Sequence, residues 1–264
     1  AQAALDRGAP VRIEEEINNT DRSAGAMLSG AVAKIYGHAG LPLDTVHVGL
    51  KGTAGQAFGA WLAKGVTFEL EGEGNDYVGK GLSGGCIIVK PPKISGIVPE
   101  ESIIVGNTVM YGAIAGECYF RGIAGERFAV RNSGAVAVVE GAGDHCCEYM
   151  TGGVAVILGR MGANFGAGMT GGMAYLYDPQ GVARDYINPE TLVMCAVTKD
   201  HWEGQLKGLV ERHFKETGSR RAGEILADWQ AEKANFLQIC PKEMLIHLPH
   251  PIMDVEEPAA VPAE

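Results

Sequence analysis

The stretch "GECYFRGIAGERFAVRNSGAVAVVEGAGDHCCEYMTGG", residues 116–153, carries a regular glycine repeat. Glycines stand at 116, 125, 134, 143 and 152, so each step is nine residues. Between them lie short runs rich in β-branched and aromatic residues, such as "AVAVVE". Such composition is typical of strands, and a fixed step indicates a repeat architecture. The stretch therefore predicts short β-strands joined by glycine corners.

The same spacing, nine to ten residues, continues on both sides of this stretch. We predict structural corner glycines at Gly55, Gly65, Gly74, Gly84, Gly106, Gly116, Gly125, Gly134, Gly143, Gly152, Gly162 and Gly171. A further step joins Gly30 to Gly40, and "VKPPKISGIVPEES" (89–102) interrupts the series. Predicted strands between the corners are "VTFEL", "CIIVK", "ECYFR", "RFAVR", "AVAVVE", "VAVIL" and "MAYLY".

A near-constant step favours a stacked solenoid over a β-sandwich, whose hairpin loops vary in length and favour Asn-Gly or Asp-Gly pairs. Two steps give a coil of about 19 residues, within the range of solenoid repeats. The fold class that we predict is an all-β solenoid, a single-stranded parallel β-helix. Glycine suits its corners because it accepts positive φ and has no Cβ to strike the next coil.

Counting from each glycine, the third and fifth positions are apolar and predict the inner face of the coil. These positions hold Ala33, Ile35, Ile87, Val89, Phe128, Val130, Ala137, Val139, Ala155, Ile157, Ala174 and Leu176. Arg121 breaks the rule in the coil that starts at Gly116, while Lys34 and Arg127 occupy alternate, outward positions.

Two matches to G-x-G-x-x-G raise the question of a dinucleotide loop. They comprise Gly79, Gly81 and Gly84, and Gly166, Gly168 and Gly171. The dinucleotide fingerprint requires a helix to begin at the last glycine, so that its N-terminus faces the phosphates. Here "GCIIVKPP" and "GMAYLYDP" follow, and both read as strands. We therefore predict no cofactor-binding residues in this chain.

The overall composition is that of a folded protein with excess glycine. The chain has 264 residues, of which 38 are glycine, about twice the average share. A net charge of -10 argues against nucleic acid or an anionic membrane as partner, and no apolar run is long enough to span a bilayer. The opening "AQAALDRGAP" lacks a signal segment and suggests an excised piece of a longer polypeptide or a processed product, and we expect a cytoplasmic protein.

The cysteines and the segment "GDHCCEYMTGG" are the main candidates for chemistry. The six cysteines (Cys86, Cys118, Cys146, Cys147, Cys195 and Cys240) form no C-x-x-C pair and predict buried, reduced thiols. Asp144, His145, Cys147 and Glu148 lie together, but neighbours on a strand point to opposite faces. We favour a polar corner there, and predict no catalytic and no metal-binding residue.

The C-terminal third changes to a helical period. Trp202, Leu206, Leu209, Val210, His213 and Phe214 recur at helical spacing, and "TGS" (217–219) offers a glycine stop and a serine N-cap. A second helix is predicted through Ile225, Leu226, Trp229 and Phe236 to about Gln238. We divide the chain into a β-helix at 1–198 with a leading segment at 1–20, a helical hairpin at 199–240 packed on the solenoid, and an extended tail at 241–264.

Several long motifs resemble one known family. They are "INNTDRSAGAMLSG", "GLKGTAGQAFGAWLAKGV", "EGNDYVGKGLSGG", "IVGNTVMYGAIAGE", "GIAGERFAVRNSGA" and "VEGAGDHCCEYMTGG". Together they are similar to the C-terminal Gly-x-x-Gly-x-x-x-Gly domain of the glutamate synthase large subunit. Gly52, Gly55 and Gly59 match that spacing literally. The resemblance covers nearly the whole chain, since "TGSRRAGEILADW" looks like the end of the same subunit.

The resemblance implies a right-handed β-helix and a parent enzyme that makes two glutamates from glutamine, 2-oxoglutarate and two electrons. It implies FMN and an iron–sulfur cluster elsewhere in the parent, and contacts with the glutaminase and FMN-binding domains and an electron-donating small subunit. In that family the β-helix is a structural element, and this chain agrees with that role, since it lacks an N-terminal Cys and grouped cysteines. It would hold the other domains in place for ammonia channelling.

Two alternatives stay open from the residues. One is a structural subunit resembling the glycine-repeat subunit of formylmethanofuran dehydrogenase. The other is a free-standing β-helix enzyme, such as a polysaccharide lyase or a hexapeptide acyltransferase, which would need a row of Asp, Lys or Arg on one face or a six-residue period. Neither pattern is present in the sequence.

Overall fold

A computed structural model describes residues 1–253 as a β-solenoid with helices along one flank; the rest of the predicted tail, 254–264, lies outside the described residues. One 11-stranded sheet runs through the molecule. Eight of its strands stack parallel in chain order. They are β1 (Val11–Ile17), β2 (Val46–Ala54), β3 (Val66–Gly74), β4 (Ser83–Lys90), β6 (Ala115–Ala124), β7 (Ser133–Ala142), β8 (Thr151–Ile157) and β9 (Gly171–Tyr177).

The strand register confirms the predicted coil length. Glu117 of β6 pairs with Val136 of β7, 19 residues on, and Val136 pairs with Val154 of β8, 18 residues on. Each strand therefore lies directly on the strand one coil earlier. The predicted fold class, an all-β solenoid of stacked parallel strands, is confirmed.

The interior of the solenoid is a continuous apolar core. The predicted inner residues Ile87, Val89, Ala137, Val139, Ala155, Ile157, Ala174 and Leu176 are all buried there. In β6 the inner pair is Cys118 and Phe120, because Ile87 pairs with Cys118. The register shifts at the preceding glycines, so the count from Gly116 is displaced by one residue. Arg121 accordingly lies on the outer face.

One predicted strand and one predicted step of the glycine series are wrong. "RFAVR" is a turn, although Phe128 and Val130 are buried as expected. The step from Gly30 to Gly40 is no coil either, because it falls in helix α2 (Ala26–Tyr36), where Ala33 and Ile35 are exposed. Glycine spacing coincides there with a helix that lies on the first coil, where Ser29 Oγ accepts a hydrogen bond from the Ala63 N–H.

Four of the strands, β2, β3, β6 and β7, also bend at a third glycine position that the sequence analysis missed. Gly52, Gly72, Gly122 and Gly141 lie at this bend. In the coil of β4 the bend is replaced by residues 91–102, after which the coil resumes at β5 (Ile103–Val105), which pairs with β3 and β6. Cys86 consequently pairs with Glu117, 31 residues on, where 19 is usual. The interruption is therefore a 12-residue insertion into an otherwise regular coil.

The two ends of the solenoid are finished differently. At the N-terminal end α1 (Gln2–Arg7) packs on α2, and the Tyr36 hydroxyl donates to the Leu5 carbonyl. At the C-terminal end β11 (Phe236–Pro241) adds antiparallel to β9, and β10 (Leu192–Ala196) adds antiparallel to β11. Phe236, predicted to lie in the second helix, therefore begins a strand. These antiparallel strands cover the last parallel edge, which would otherwise be open for aggregation.

The predicted helical hairpin lies along the outer face of the sheet. Helix α3 (Asp200–Thr217) ends at Gly218 with φ 64°, and the Ser219 side chain caps α4 (Arg220–Ala227) through the Ala222 N–H. A short helix α5 (Trp229–Glu232) follows. Buried side chains of α3 to α5 form a second apolar cluster with outward residues of β4 to β9. The hairpin thus packs on the flank of the solenoid.

Candidate functional site: the stacked turns of the solenoid

The structure places the twelve predicted corner glycines in two columns. One column follows the strands and comprises Gly55, Gly74, Gly106, Gly125, Gly143 and Gly162; the other lies where the strands begin and comprises Gly65, Gly84, Gly116, Gly134, Gly152 and Gly171. At every one of them a Cβ would come within 3.0 Å of another atom, most often in a neighbouring coil. Close approach between coils, more than backbone conformation, is therefore the shared constraint.

Short Asn and Asp side chains explain part of that closeness. The Asn107 Oδ1 accepts a hydrogen bond of 2.8 Å from the Glu126 N–H in the next coil, and the Asp144 Oδ1 accepts one of 2.8 Å from the Ala163 N–H. Each of these oxygens occupies the space that a Cβ would need at the glycine above it, Gly125 and Gly162 respectively. At both corners the glycine thus leaves the space that the capping side chain of the previous coil occupies.

Between the two glycine columns lie six turn segments, at 56–61, 76–81, 107–112, 126–131, 144–149 and 163–168. In each segment alternate residues have positive φ, as at Arg127, Ala129 and Arg131. The Arg127 N–H donates to the next coil, the Ala129 N–H to the previous coil, and the Arg131 N–H to the next coil again. Backbone hydrogen bonds therefore link the coils through the turns as well as through the strands.

The segment "GDHCCEYMTGG" is one of these turns. Cys146 and Cys147 are both buried in the interior, with their sulfurs 3.7 Å apart. His145 and Glu148 lie outside, with His145 Nδ1 3.6 Å from Glu148 Oε1, and Asp144 caps the next coil. The structure therefore separates the thiols from the acid and the imidazole. Burial raises the pKa of the Cys146 thiol well above its usual range, which disfavours the nucleophilic thiolate.

Neither G-x-G-x-x-G match has the geometry of a dinucleotide loop. Strands β4 and β9, and no helix, follow the last glycines. In each match the first two glycines have positive φ in a turn segment, and the third lies where the following strand begins. The Trp61 ring lies against Gly81, and the Tyr149 ring lies against Gly168. Binding of a dinucleotide cofactor at these loops therefore does not fit the structure.

The cysteines do not fit an iron–sulfur cluster. All six are free thiols, at scattered positions of the solenoid and of β10 and β11. Within residues 1–253 no three His, Cys, Asp or Glu side chains lie close enough to hold a metal ion. A four-thiolate donor set is the usual requirement for such a cluster.

None of the described helices has the length and hydrophobicity that a bilayer span requires.

A buried polar clip attaches the hairpin to the sheet. Glu140, on the outer face of β7, is 1% exposed and accepts a hydrogen bond from the Ser219 hydroxyl, which also caps α4. His213 of α3 is fully buried, with Nε2 3.7 Å from Glu140 Oε1. The Arg121 Nη1 donates to the Thr217 carbonyl oxygen at 3.4 Å. The turn between α3 and α4 is therefore fixed on β6 and β7.

The stacked coils with glycine corners, closed by terminal elements and flanked by a hairpin, define a repeat-type β-solenoid domain. The chain belongs to the GXGXG motif family, which its sequence matches over residues 1–242. It is similar to glutamate synthase [NADH] of Schizosaccharomyces pombe, with 52% identity over 243 residues, and to ferredoxin-dependent glutamate synthase 2 of Synechocystis, with 51% over 223. It is also 49% identical over all 264 residues to the glutamate synthase [NADPH] large chain of Azospirillum brasilense.

The matches cover most of this chain but only a small part of each relative. It covers 92%, 84% and 100% of this chain in the three comparisons, but only 12%, 14% and 17% of the respective relatives. The resemblance to the glutamate synthase large subunit that the motifs predicted is confirmed. The similarity therefore concerns one domain-sized part of much longer proteins.

Proposed function

We propose that this chain is the structural, non-catalytic domain of a glutamate synthase. It holds the glutaminase domain and the FMN-binding domain of the same subunit at a fixed separation. The observation that carries the proposal is the unbroken stack of coils, hydrogen-bonded through both strands and turns, in a sequence about half identical to glutamate synthases.

The stack has the mechanical properties of a spacer. Seven spacings of about 4.8 Å separate the eight parallel strands, which gives a rod about 34 Å long. Each coil contacts mainly its neighbours, and the interior is filled by side chains such as Phe128 and Ile157. Shortening or bending this rod would require breaking many interstrand hydrogen bonds together. Domains attached along it would therefore keep a constant distance.

The reaction that we assign to the parent explains why a constant distance matters. Glutamine and water give glutamate and ammonia; ammonia, 2-oxoglutarate, two electrons and two protons then give a second glutamate and water. Ammonia that escapes between the two steps is lost to the second. FMN and an iron–sulfur cluster would supply the reducing chemistry in the remaining domains. This chain would set only the positions of those domains relative to each other.

The identity of this segment to its relatives does not depend on the electron donor for which each relative is named. Relatives named for NADH, ferredoxin and NADPH share 52%, 51% and 49% identity with it. A segment that contacted the donor directly would be expected to diverge with the donor. The near-equal identities support a role apart from electron entry, and leave an electron-donating small subunit to bind elsewhere.

The test is to loosen the stack in the full-length protein. Gly116→Val and Gly134→Val place side chains where a Cβ already meets the backbone of the previous coil. We expect glutaminase turnover to remain measurable while the glutamate formed per glutamine consumed falls below two. Gly204→Ala, in the open surface of α3, is the matched control and should keep the ratio at two. A ratio of two in a mutant with a disordered solenoid, or joint failure of both steps in a folded one, refutes the spacer role.

A further inference from the structure

The insertion at 91–102 exposes an unusual cluster of aliphatic side chains. Ile94 is 97% exposed, Ile97 42% and Val98 41%, and Ile103 directly after it is 61% exposed. The other coils stack without such a loop, so the solenoid does not need it for its own register. A contiguous exposed apolar patch on a folded protein usually marks an interaction surface.

A hollow of about 440 Å³ lies beside this loop. Its apolar wall is formed by Pro91, Pro92, Ile97, Ile103 and Ile104. Gly52 and Gly72, the bend glycines of β2 and β3, also line it and bring no side chain into it. Lys51, Glu71 and Glu73 stand at the charged side of the hollow. This is the arrangement of an apolar socket with a polar rim.

The loop is held in position at its C-terminal end. Glu100 forms an ion pair with Arg220 at the start of α4, and the Ser102 carbonyl accepts a hydrogen bond of 2.8 Å from the Ile123 N–H. Ile104 is buried against Gly122. The socket is therefore built before any partner arrives, which lowers the entropy cost of binding.

We propose that this socket docks another domain of the same large chain, which inserts an apolar anchor side chain into it. The inference rests on the proposed function. The matched relatives are about six to eight times longer than the segment they share with this chain, so most of such a polypeptide lies outside it. A contact within one polypeptide benefits from a high effective concentration, so a small interface suffices. A second copy would need about 800 Å² from each partner for a stable interface.

Site-specific photo-crosslinking in the full-length polypeptide tests the docking. A photoreactive p-benzoylphenylalanine replaces Ile97, and the control replaces Met27, which is 92% exposed on α2. We expect cross-links from position 97 to peptides of the same polypeptide outside residues 1–264, at least fivefold above position 27. Cross-links only to residues 1–264, the tail at 254–264 included, cross-links between two copies, or no excess over the control overturn the proposal.

A second measurement separates this inference from the proposed function. Ile103→Glu should raise the deuterium exchange of amides 91–103 at least tenfold in the full-length protein, whereas Met27→Glu should leave it unchanged. Unchanged exchange in Ile103→Glu contradicts docking. If the wild-type polypeptide forms no glutamate from glutamine and 2-oxoglutarate, the proposed function fails while the cross-linking result still decides the docking.

Discussion

The corner device makes a specific prediction at Gly125. A Cβ there would lie 2.9 Å from the Gly106 carbonyl oxygen and closer still to Asn107 Oδ1. Gly125→Ala must therefore displace the Asn107 side chain and break its hydrogen bond to the Glu126 N–H. Overpacking costs about 1–3 kcal/mol, and a lost hydrogen bond about 1 kcal/mol. The smaller entropy of Ala in the unfolded chain offsets about 0.4–1 kcal/mol. We expect the free energy of unfolding to fall by about 1–3.5 kcal/mol.

The double mutant isolates the cause. Asn107→Ala removes the obstructing oxygen and should itself cost about 1 kcal/mol for the lost cap. In that background Gly125→Ala should cost about 0.5–2 kcal/mol less than in the wild type, because residues in contact couple by such amounts. Gly204→Ala is the control: it lies in α3 with nothing within 4 Å of its Cβ, and should stabilise by up to about 1 kcal/mol.

Urea unfolding, followed by circular dichroism, measures the wild type and the four variants, and the midpoints and slopes are compared. Additive costs for Gly125→Ala and Asn107→Ala would refute the shared-space argument. So would a Gly125→Ala protein as stable as the Gly204→Ala protein, since the corner would then tolerate a Cβ.

Three further predictions concern the clip, acid stability and the thiols. Glu140→Ala should lower the free energy of unfolding by about 1–3 kcal/mol because it leaves the buried Ser219 hydroxyl without an acceptor. Glu140→Gln should cost less, and equal losses in the urea midpoints would contradict the clip. Hydrogen bonding from Arg12 is the main cause that holds the pKa of Asp44 below its ordinary value. The ionised Asp44 therefore stabilises the fold above about pH 4, and this contribution is lost as the pH falls further. Arg12→Met should flatten this acid dependence of the urea midpoint. Burial raises the pKa of the Cys118 thiol, so iodoacetamide at pH 8 should modify it only after unfolding, as mass spectrometry will show.

Glycine periodicity predicted the solenoid because repeats of constant length can stack with equivalent residues in contact. The inner residues of β4, β7, β8 and β9 followed from the same count, since side chains alternate across a strand. The stop at Gly218 and the cap at Ser219 were also predictable, because capping is local chemistry within one turn of helix. These features depend on neighbours in sequence, or on a period that the sequence displays.

The spacing of residues could not predict how contacts between adjacent coils set the backbone conformation. "RFAVR" has the composition of a strand, yet contacts with the coils above and below hold Arg127 and Ala129 at positive φ. Gly30 fits the period but lies in a helix, and Phe236 fits a helix but pairs with Tyr177 of β9 because the last edge of the sheet needed covering. Composition says little where packing decides between two backbone conformations.

The sequence by itself determined that this protein stacks glycine-cornered coils, because the repeat is written in single residues at a constant step. Only the tertiary structure decided why the corners at Gly125 and Gly162 must be glycine, since the carboxamide of Asn107 and the carboxylate of Asp144 reach these positions from the previous coil. It also decided that Glu140, Ser219 and His213 meet, because they come from a strand and two helix ends that are distant in sequence. Contacts between distant residues leave no period in the sequence, and the fold alone brings them together.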